Sequence, residues 1–202
     1  MKTKLLITAL TCLAAATASF ADEVKVGSAA PDFTLKDVNG KIHSLADYKG
    51  KFVVLEWFNE GCPFVKKHYT SGNMQKLQKE YTGKDVVWLS ISSSAEGQQG
   101  HMTPESAPKT MTDWKMDSTK VLLDHDGKVG HMYGAKTTPH MFVIDKEGKL
   151  IYQGAIDSKA TPNTADLEGA ENYVKVALDN SMAGKPVTTS STKPYGCSVK
   201  YK

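Results

Sequence analysis

The seven residues Phe52 to Phe58, Phe-Val-Val-Leu-Glu-Trp-Phe, run through Asn59-Glu60-Gly61 straight into Cys62-Pro63. A short apolar run rich in valine and aromatics, broken only by Glu56, predicts a buried strand. Pro63 predicts a helix start, because its missing N–H costs nothing in the first turn. A buried strand therefore delivers a cysteine to the start of a helix. That arrangement needs a layered α/β fold. It also has a chemical consequence. Free N–H groups at a helix N-terminus carry partial positive charge, which favours a thiolate over a thiol. Lys66 and Lys67 follow one turn later and add to the expected positive field.

The rest of the chain supplies alternating elements. Val38-Asn39-Gly40-Lys41 carries the Asn-Gly signal of a tight hairpin. A helix is predicted from Gly61 through Tyr81, a second buried strand over Val86 to Ile91, and a polar loop from Ser92 to Met102. Further helical pieces are expected from Thr103 to Lys115 and from Asp126 to Tyr133, with a strand over Thr119 to Leu123 between them. Met141 to Ile144 and Leu150 to Tyr152 flank a turn at Lys146-Glu147-Gly148. Asp166 to Ser181 has helical periodicity, with Leu167, Ala170, Tyr173, Val174, Ala177 and Leu178 on one face. From Gly184 the composition turns to Pro, Thr, Ser and Lys, and a flexible arm is expected to carry Cys197. Strands alternating with helices imply a central mixed sheet flanked by helices, with an N-terminal hairpin extension.

The first residues read differently. Lys2 and Lys4 precede an apolar stretch from Leu5 to Ala18, followed by Ser19-Phe20-Ala21. This is the pattern of a secretory signal peptide over residues 1–21, too short to span a bilayer. Lipidation of Cys12 is a second reading, for which Ala9-Leu10-Thr11 is a poor match. The expected domains are thus a signal peptide at 1–21, one globular domain at 22–183 and the tail at 184–202. The expected location is periplasmic or secreted. Removal of the signal takes two lysines and no acids, leaving 25 − 2 = 23 lysines against 22 acids. A charge near +1 gives no reason to expect a nucleic-acid partner or a membrane partner beyond export. Cys62 and Cys197 are the two cysteines left. Export points to an oxidising compartment, so they are either a structural staple or a reactive pair.

Three segments resemble the thioredoxin superfamily, in its peroxiredoxin-like branch of alkyl hydroperoxide reductases and thiol-specific antioxidants. Ala30-Pro31-Asp32-Phe33 with Leu45-Ala46-Asp47-Tyr48-Lys49-Gly50-Lys51 is similar to the opening of that branch. Cys62 matches the first cysteine of the thioredoxin redox motif. Tyr133-Gly134-Ala135-Lys136-Thr137-Thr138-Pro139 matches the segment carrying that fold's cis-proline. The resemblance spans roughly residues 27–156. It implies a thioredoxin-like fold and a redox-active Cys62. It places Glu56 where thioredoxins hold a buried proton-transferring carboxylate. It sets the Thr138 backbone, ahead of a cis Pro139, beside the cysteine as an edge for a substrate chain.

The departures are specific. Val65 stands where a second local cysteine would be, which excludes a Cys-x-x-Cys mechanism. Leu55 and Asn59 occupy the places of the peroxiredoxin proline and threonine. The chain has no arginine, the residue with which peroxiredoxins hold peroxide. The expectation is an exported thiol oxidoreductase in which Cys62 attacks a peroxide or a disulfide and Cys197 resolves the product, in its own chain or in a second copy. An external thiol reductant or a disulfide-bearing protein would be its partner. The run Lys185 to Gly196 reaches about 40 Å when extended, enough to bring Cys197 to the cleft. The alternative is a non-catalytic binding module stapled by Cys62–Cys197. No cofactor is implied, and His43, His68, His101, His125, His131 and His140 show no spacing that reads as a metal set.

Overall fold

A computed structural model of the chain describes residues 24–202. The expected signal peptide, with Cys12, lies outside the described residues.

The Phe52 to Phe58 run forms strand β3 (Val53–Trp57), with every residue buried. It is an interior strand of a seven-stranded sheet. β3 pairs in parallel with β4 (Val87–Ser92), and β4 in parallel with β5 (Lys120–Leu123). On its other side β3 runs antiparallel to β7 (His140–Ile144), which pairs with β8 (Leu150–Gly154). The Asn-Gly turn joins β1 (Thr34–Asp37) to β2 (Ile42–Ser44), and this hairpin extends the sheet beyond β5. The sheet is mixed, as parallel crossovers plus added hairpins require.

Side chains alternate across the pleat, so β3 feeds two cores. Val54 and Phe58 face α1 (Pro63–Thr70), α2 (Asn73–Thr82) and α5 (Tyr173–Met182), against Tyr69, Leu77, Tyr81 and Leu178. Val53, Leu55 and Trp57 face the opposite layer, where α4 (Lys128–Tyr133) contributes Val129 and Tyr133. Each such fully buried aliphatic side chain contributes roughly 1.5–3 kcal/mol. A short helix α3 (Ala107–Asp113) follows the polar loop after β4. Among the described residues no helix is long and apolar enough to cross a membrane.

Three expectations are corrected. The helix expected from Gly61 to Tyr81 is two helices. Gly72 takes a left-handed φ of 76° between them, and Ser71 turns its hydroxyl back onto the Lys67 carbonyl. The periodic stretch from Asp166 is likewise interrupted. Gly169 has φ 69°, and Asn172 caps a helix that begins only at Tyr173, accepting from the Lys175 N–H at 2.9 Å. Leu167 and Ala170 are therefore not on that helix.

The third correction concerns the tail. Residues from Gly184 onward were expected to form a loose arm, and they lie along the domain instead. Ser191 bridges to Gln153, and the Thr192 hydroxyl accepts from the Ala155 N–H. A ninth strand, β9 (Cys197–Ser198), pairs antiparallel with β6 (Thr137–Thr138). Val199 is buried in the second core, and the Tyr201 hydroxyl donates to the Ala135 carbonyl at 2.8 Å. Backbone pairing and apolar anchors on both sides of Cys197 fix what composition alone describes as a polar linker.

Candidate active site

Cys62 is the N-cap of α1 and is fully buried. The turn that presents it is held by Asn59, whose carbonyl accepts from the Cys62 N–H and whose side chain accepts from the Gly61 N–H at 2.8 Å. Asn59 also donates to the Gln99 carbonyl at 3.0 Å, tying this turn to the loop after β4. The residue at the peroxiredoxin threonine position thus braces the backbone that carries the cysteine. Leu55, at the proline position, is core.

The Thr138–Pro139 bond is cis. The Cys62 thiol donates to the Thr138 carbonyl at 2.9 Å. Opposite Thr138 in the β6–β9 ladder stands Cys197, whose backbone N–H points at the Cys62 sulfur from 3.4 Å. The fold therefore brings together Cys62, Thr138, Pro139 and Cys197. Both cysteines are free thiols, Cys62 buried and Cys197 partly exposed.

Burial is the largest influence on the Cys62 thiol and favours its neutral form. It is outweighed by donors: the Cys197 thiol, the Cys197 N–H and the Val65 N–H. Together they hold the Cys62 thiol below its ordinary range. Cys62 makes no full capping hydrogen bond, so the helix start acts here through a looser approach of Val65. The Thr138 carbonyl, an acceptor, works with burial on the neutral side. Cys197 moves the opposite way. Burial, and then the Cys62 sulfur beside it, push its thiol up to about 11. The two thiols are thus shifted in opposite directions, Cys62 toward the thiolate and Cys197 toward the thiol.

Lysine contributes less than expected. Lys67 is buried and turns away to Asp157 at 3.2 Å and to the Lys159 carbonyl at 2.7 Å. Its charge is neutralised there. Lys66 is exposed.

Glu56 is fully buried on the same face of β3 as Phe58, but its carboxylate is committed elsewhere. Tyr69 donates to it at 2.8 Å, Trp88 at 2.8 Å, Gln78 at 3.0 Å and Ser90 at 3.1 Å. Burial raises its pKa above the usual range, and the four donors partly offset the rise. Among the hydrogen bonds described, none joins Glu56 to Cys62. His140, next to the cis-proline, is buried on Phe142, with Nδ1 accepting from the Lys136 N–H. Burial lowers its pKa to about 3, so its ring is neutral in ordinary buffers.

The residues that complete the site are in the tail. Tyr195 donates to Asp157 and packs on Phe64 of α1. Gly196 lies flat on the Thr138–Pro139 peptide, where a Cβ would stand 2.2 Å from the Thr138 oxygen. A signal for them is present in the sequence: Tyr195, Cys197, Val199 and Tyr201 alternate with Gly196, Ser198 and Lys200, the period of a strand. Among the described residues no cluster of three or more His, Cys, Asp or Glu side chains is arranged to hold a metal.

Residues 26–153 match the AhpC/TSA family. The chain belongs to that family. It is 29% identical over 147 residues to the thioredoxin-like protein YneN of Bacillus subtilis, covering 72% of this chain and 81% of that one. It is 30% identical over 127 residues to the thiol-disulfide oxidoreductase ResA of Geobacillus thermodenitrificans, covering 63% of this chain and 67% of that one. A crystal structure of an uncharacterized conserved protein from Geobacillus kaustophilus superposes with a TM-score of 0.74 at 28% identity. It covers 90% of this AhpC/TSA chain and 94% of its own. The shared architecture is the thioredoxin-like fold, in its peroxiredoxin-like branch.

Proposed function

We propose that this AhpC/TSA protein is an exported thiol oxidoreductase in which Cys62 is the nucleophile and Cys197 of the same chain is the resolving thiol. The observation that carries this reading is the approach of Cys197 to Cys62 across the β6–β9 pair, with the N–H of one at 3.4 Å from the sulfur of the other. The lowered Cys62 pKa and the raised Cys197 pKa fit the two roles. Thiolate attack on a hydroperoxide gives a Cys62 sulfenic acid and an alcohol or water. The Cys197 sulfur then attacks the sulfenic sulfur, expels water and leaves a Cys62–Cys197 disulfide. Attack on a disulfide gives a mixed disulfide that Cys197 resolves in the same way, releasing the second thiol. An external thiol restores the reduced pair. The family and the oxidoreductase relatives support thiol redox chemistry. The signal-like residues 1–21 support export. Glu56 enters as a buried carboxyl behind the site, acting through its hydrogen bonds to Tyr69 and Trp88.

Mass spectrometry after stoichiometric hydrogen peroxide tests the scheme. Wild type should lose two hydrogens and give a Cys62–Cys197 peptide pair, whereas Cys197→Ser should accumulate a one-oxygen adduct on Cys62. The alternative, a permanent staple in a binding module, predicts a disulfide potential below about −300 mV, and a working pair lies above it.

A further inference from the structure

Cys62 and the edge beside the cis-proline are covered in this structure, and the cover has the chemistry of a substrate. β9 lies antiparallel on β6, with Cys197 opposite Thr138 and Ser198 opposite Thr137. An extended segment with a cysteine facing the Cys62 sulfur is what an exchange reaction with a protein disulfide would place there. We propose that Gly196-Cys197-Ser198 is a built-in stand-in for the cysteine-bearing strand of a partner protein, that it must leave before such a strand docks on Thr137-Thr138, and that this edge selects a cysteine preceded by glycine. The proposal rests on the reading of Cys62 as the reactive thiol.

Three observations support it. Cys62 is fully buried while β9 is in place, so no protein chain reaches its sulfur in this arrangement. The edge itself is specified by shape. Gly196 has φ 142°, and a Cβ there would fall 2.2 Å from the Thr138 oxygen, 2.8 Å from its carbonyl carbon and 3.3 Å from the Pro139 nitrogen. Those atoms are backbone and cannot step aside as a side chain would. Any strand docking in this register meets the same wall one residue before its cysteine. The cover is also removable in principle. Of its apolar anchors only the small Val199 is buried, Tyr195 and Tyr201 are partly buried, and the β6–β9 ladder spans two residue pairs.

The exchange step balances without another oxidant. The Cys62 thiolate attacks the cysteine sulfur of the partner's disulfide, a Cys62–partner disulfide forms, and the partner's second sulfur leaves as a thiolate. Specificity is then a difference in approach, with an ill-fitting neighbour rejected by steric clash.

The test uses the full chain with Cys197→Ser, leaving Cys62 as its reactive thiol among the described residues. Two short peptides, Tyr-Gly-Cys-Ser-Val and Tyr-Ala-Cys-Ser-Val, are each presented as a mixed disulfide with a chromogenic aryl thiol. The methyl disulfide of the same aryl thiol is the small control. The glycine peptide should react at least about tenfold faster than the alanine peptide. Adding Gly196→Ala, which pushes the tail strand off Thr138, should raise the ratio of the glycine-peptide rate to the methyl-disulfide rate at least about tenfold, a ratio that cancels any change in the Cys62 thiolate itself. Equal rates for the two peptides overturn the glycine selection, and this comparison needs no Gly196 variant to fold. An unchanged ratio of the two rates in a folded Gly196→Ala protein overturns the stand-in. A methyl control that fails to modify Cys62 in every protein overturns the reactive-thiol reading, and this inference with it.

Discussion

The backbone N–H of Cys197 points at the sulfur of Cys62 from 3.4 Å, although the two residues lie 135 positions apart along the chain. The donors that lower the Cys62 pKa come in large part from the tail, and only weakly from the helix that Cys62 caps. The lowered pKa of the Cys62 thiol is therefore a property of the docked tail. Four measurements follow from this arrangement and its surroundings.

Reduced wild type should show two separated thiol titrations by thiolate absorbance. Cys62 ionises below the free value of about 8.5, and Cys197 near about 11. Cys197→Ala removes the thiol donor and should move the Cys62 step upward. A Cys62 step that stays put would mean that the helix start alone sets its pKa.

Glu56→Gln should destabilise the fold by on the order of 2–3 kcal/mol in denaturant unfolding, because an amide cannot accept from all four donors. The pH dependence has a definite sign. Burial raises the folded pKa of Glu56 above its ordinary 4.5, so the protonated form is favoured on folding. Its contribution is full below 4.5 and is lost as pH rises toward the folded value. The deficit of Glu56→Gln should therefore shrink as pH rises through that window. A deficit that is small and flat with pH would mean that the carboxylate is not held as described.

His140 gives the opposite slope. Burial, aided by the Lys136 charge, lowers its folded pKa from 6.5 to about 3. The unfolded chain then binds more protons between those values, and stability falls as pH drops through them, by about 1.4 kcal/mol per pH unit. His140→Asn keeps an acceptor for the Lys136 N–H without titrating. It should flatten the stability profile between pH 6 and 4 by about that slope. Urea midpoints at several pH values decide it.

Oxidation of Cys62 by hydrogen peroxide should be slower than in arginine-bearing peroxiredoxins by several powers of ten. The chain has no arginine, Asn59 is engaged with Gly61 and Gln99, and Lys67 with Asp157. Stopped-flow fluorescence provides the rate. Wild-type turnover in the fast peroxidase range would show that backbone donors suffice.

Much of this was legible in the residues. The apolar run at Val53 to Trp57, the Asn-Gly hairpin and Cys62 at a helix start each depend on local physics, and each stands where local physics puts it. Glu56 was legible as a buried charge, but its four partners come from α1, α2 and β4, which spacing along one segment does not reveal. Lys67 read as a positive neighbour of Cys62. Its pairing with Asp157, 90 positions away, is a tertiary fact. The tail was read by composition, which masks the alternation of Tyr195, Cys197, Val199 and Tyr201. Three periods of strand are too short to stand out beside the seven polar residues among positions 185–193.

Tyr201 rests over Gly127 and Gly130 of the α4 turn, where a Cβ at Gly130 would meet its hydroxyl at 2.3 Å. The seat, the seven strands of the main sheet and Cys62 itself all precede the occupant along the chain. Docking of Tyr201 therefore joins segments far apart in sequence, the kind of contact whose loop must close before it is rewarded. The cover over the Cys62 sulfur and the Thr138 edge is thus a long-range contact, dependent on a folded sheet and α4 turn for its seat.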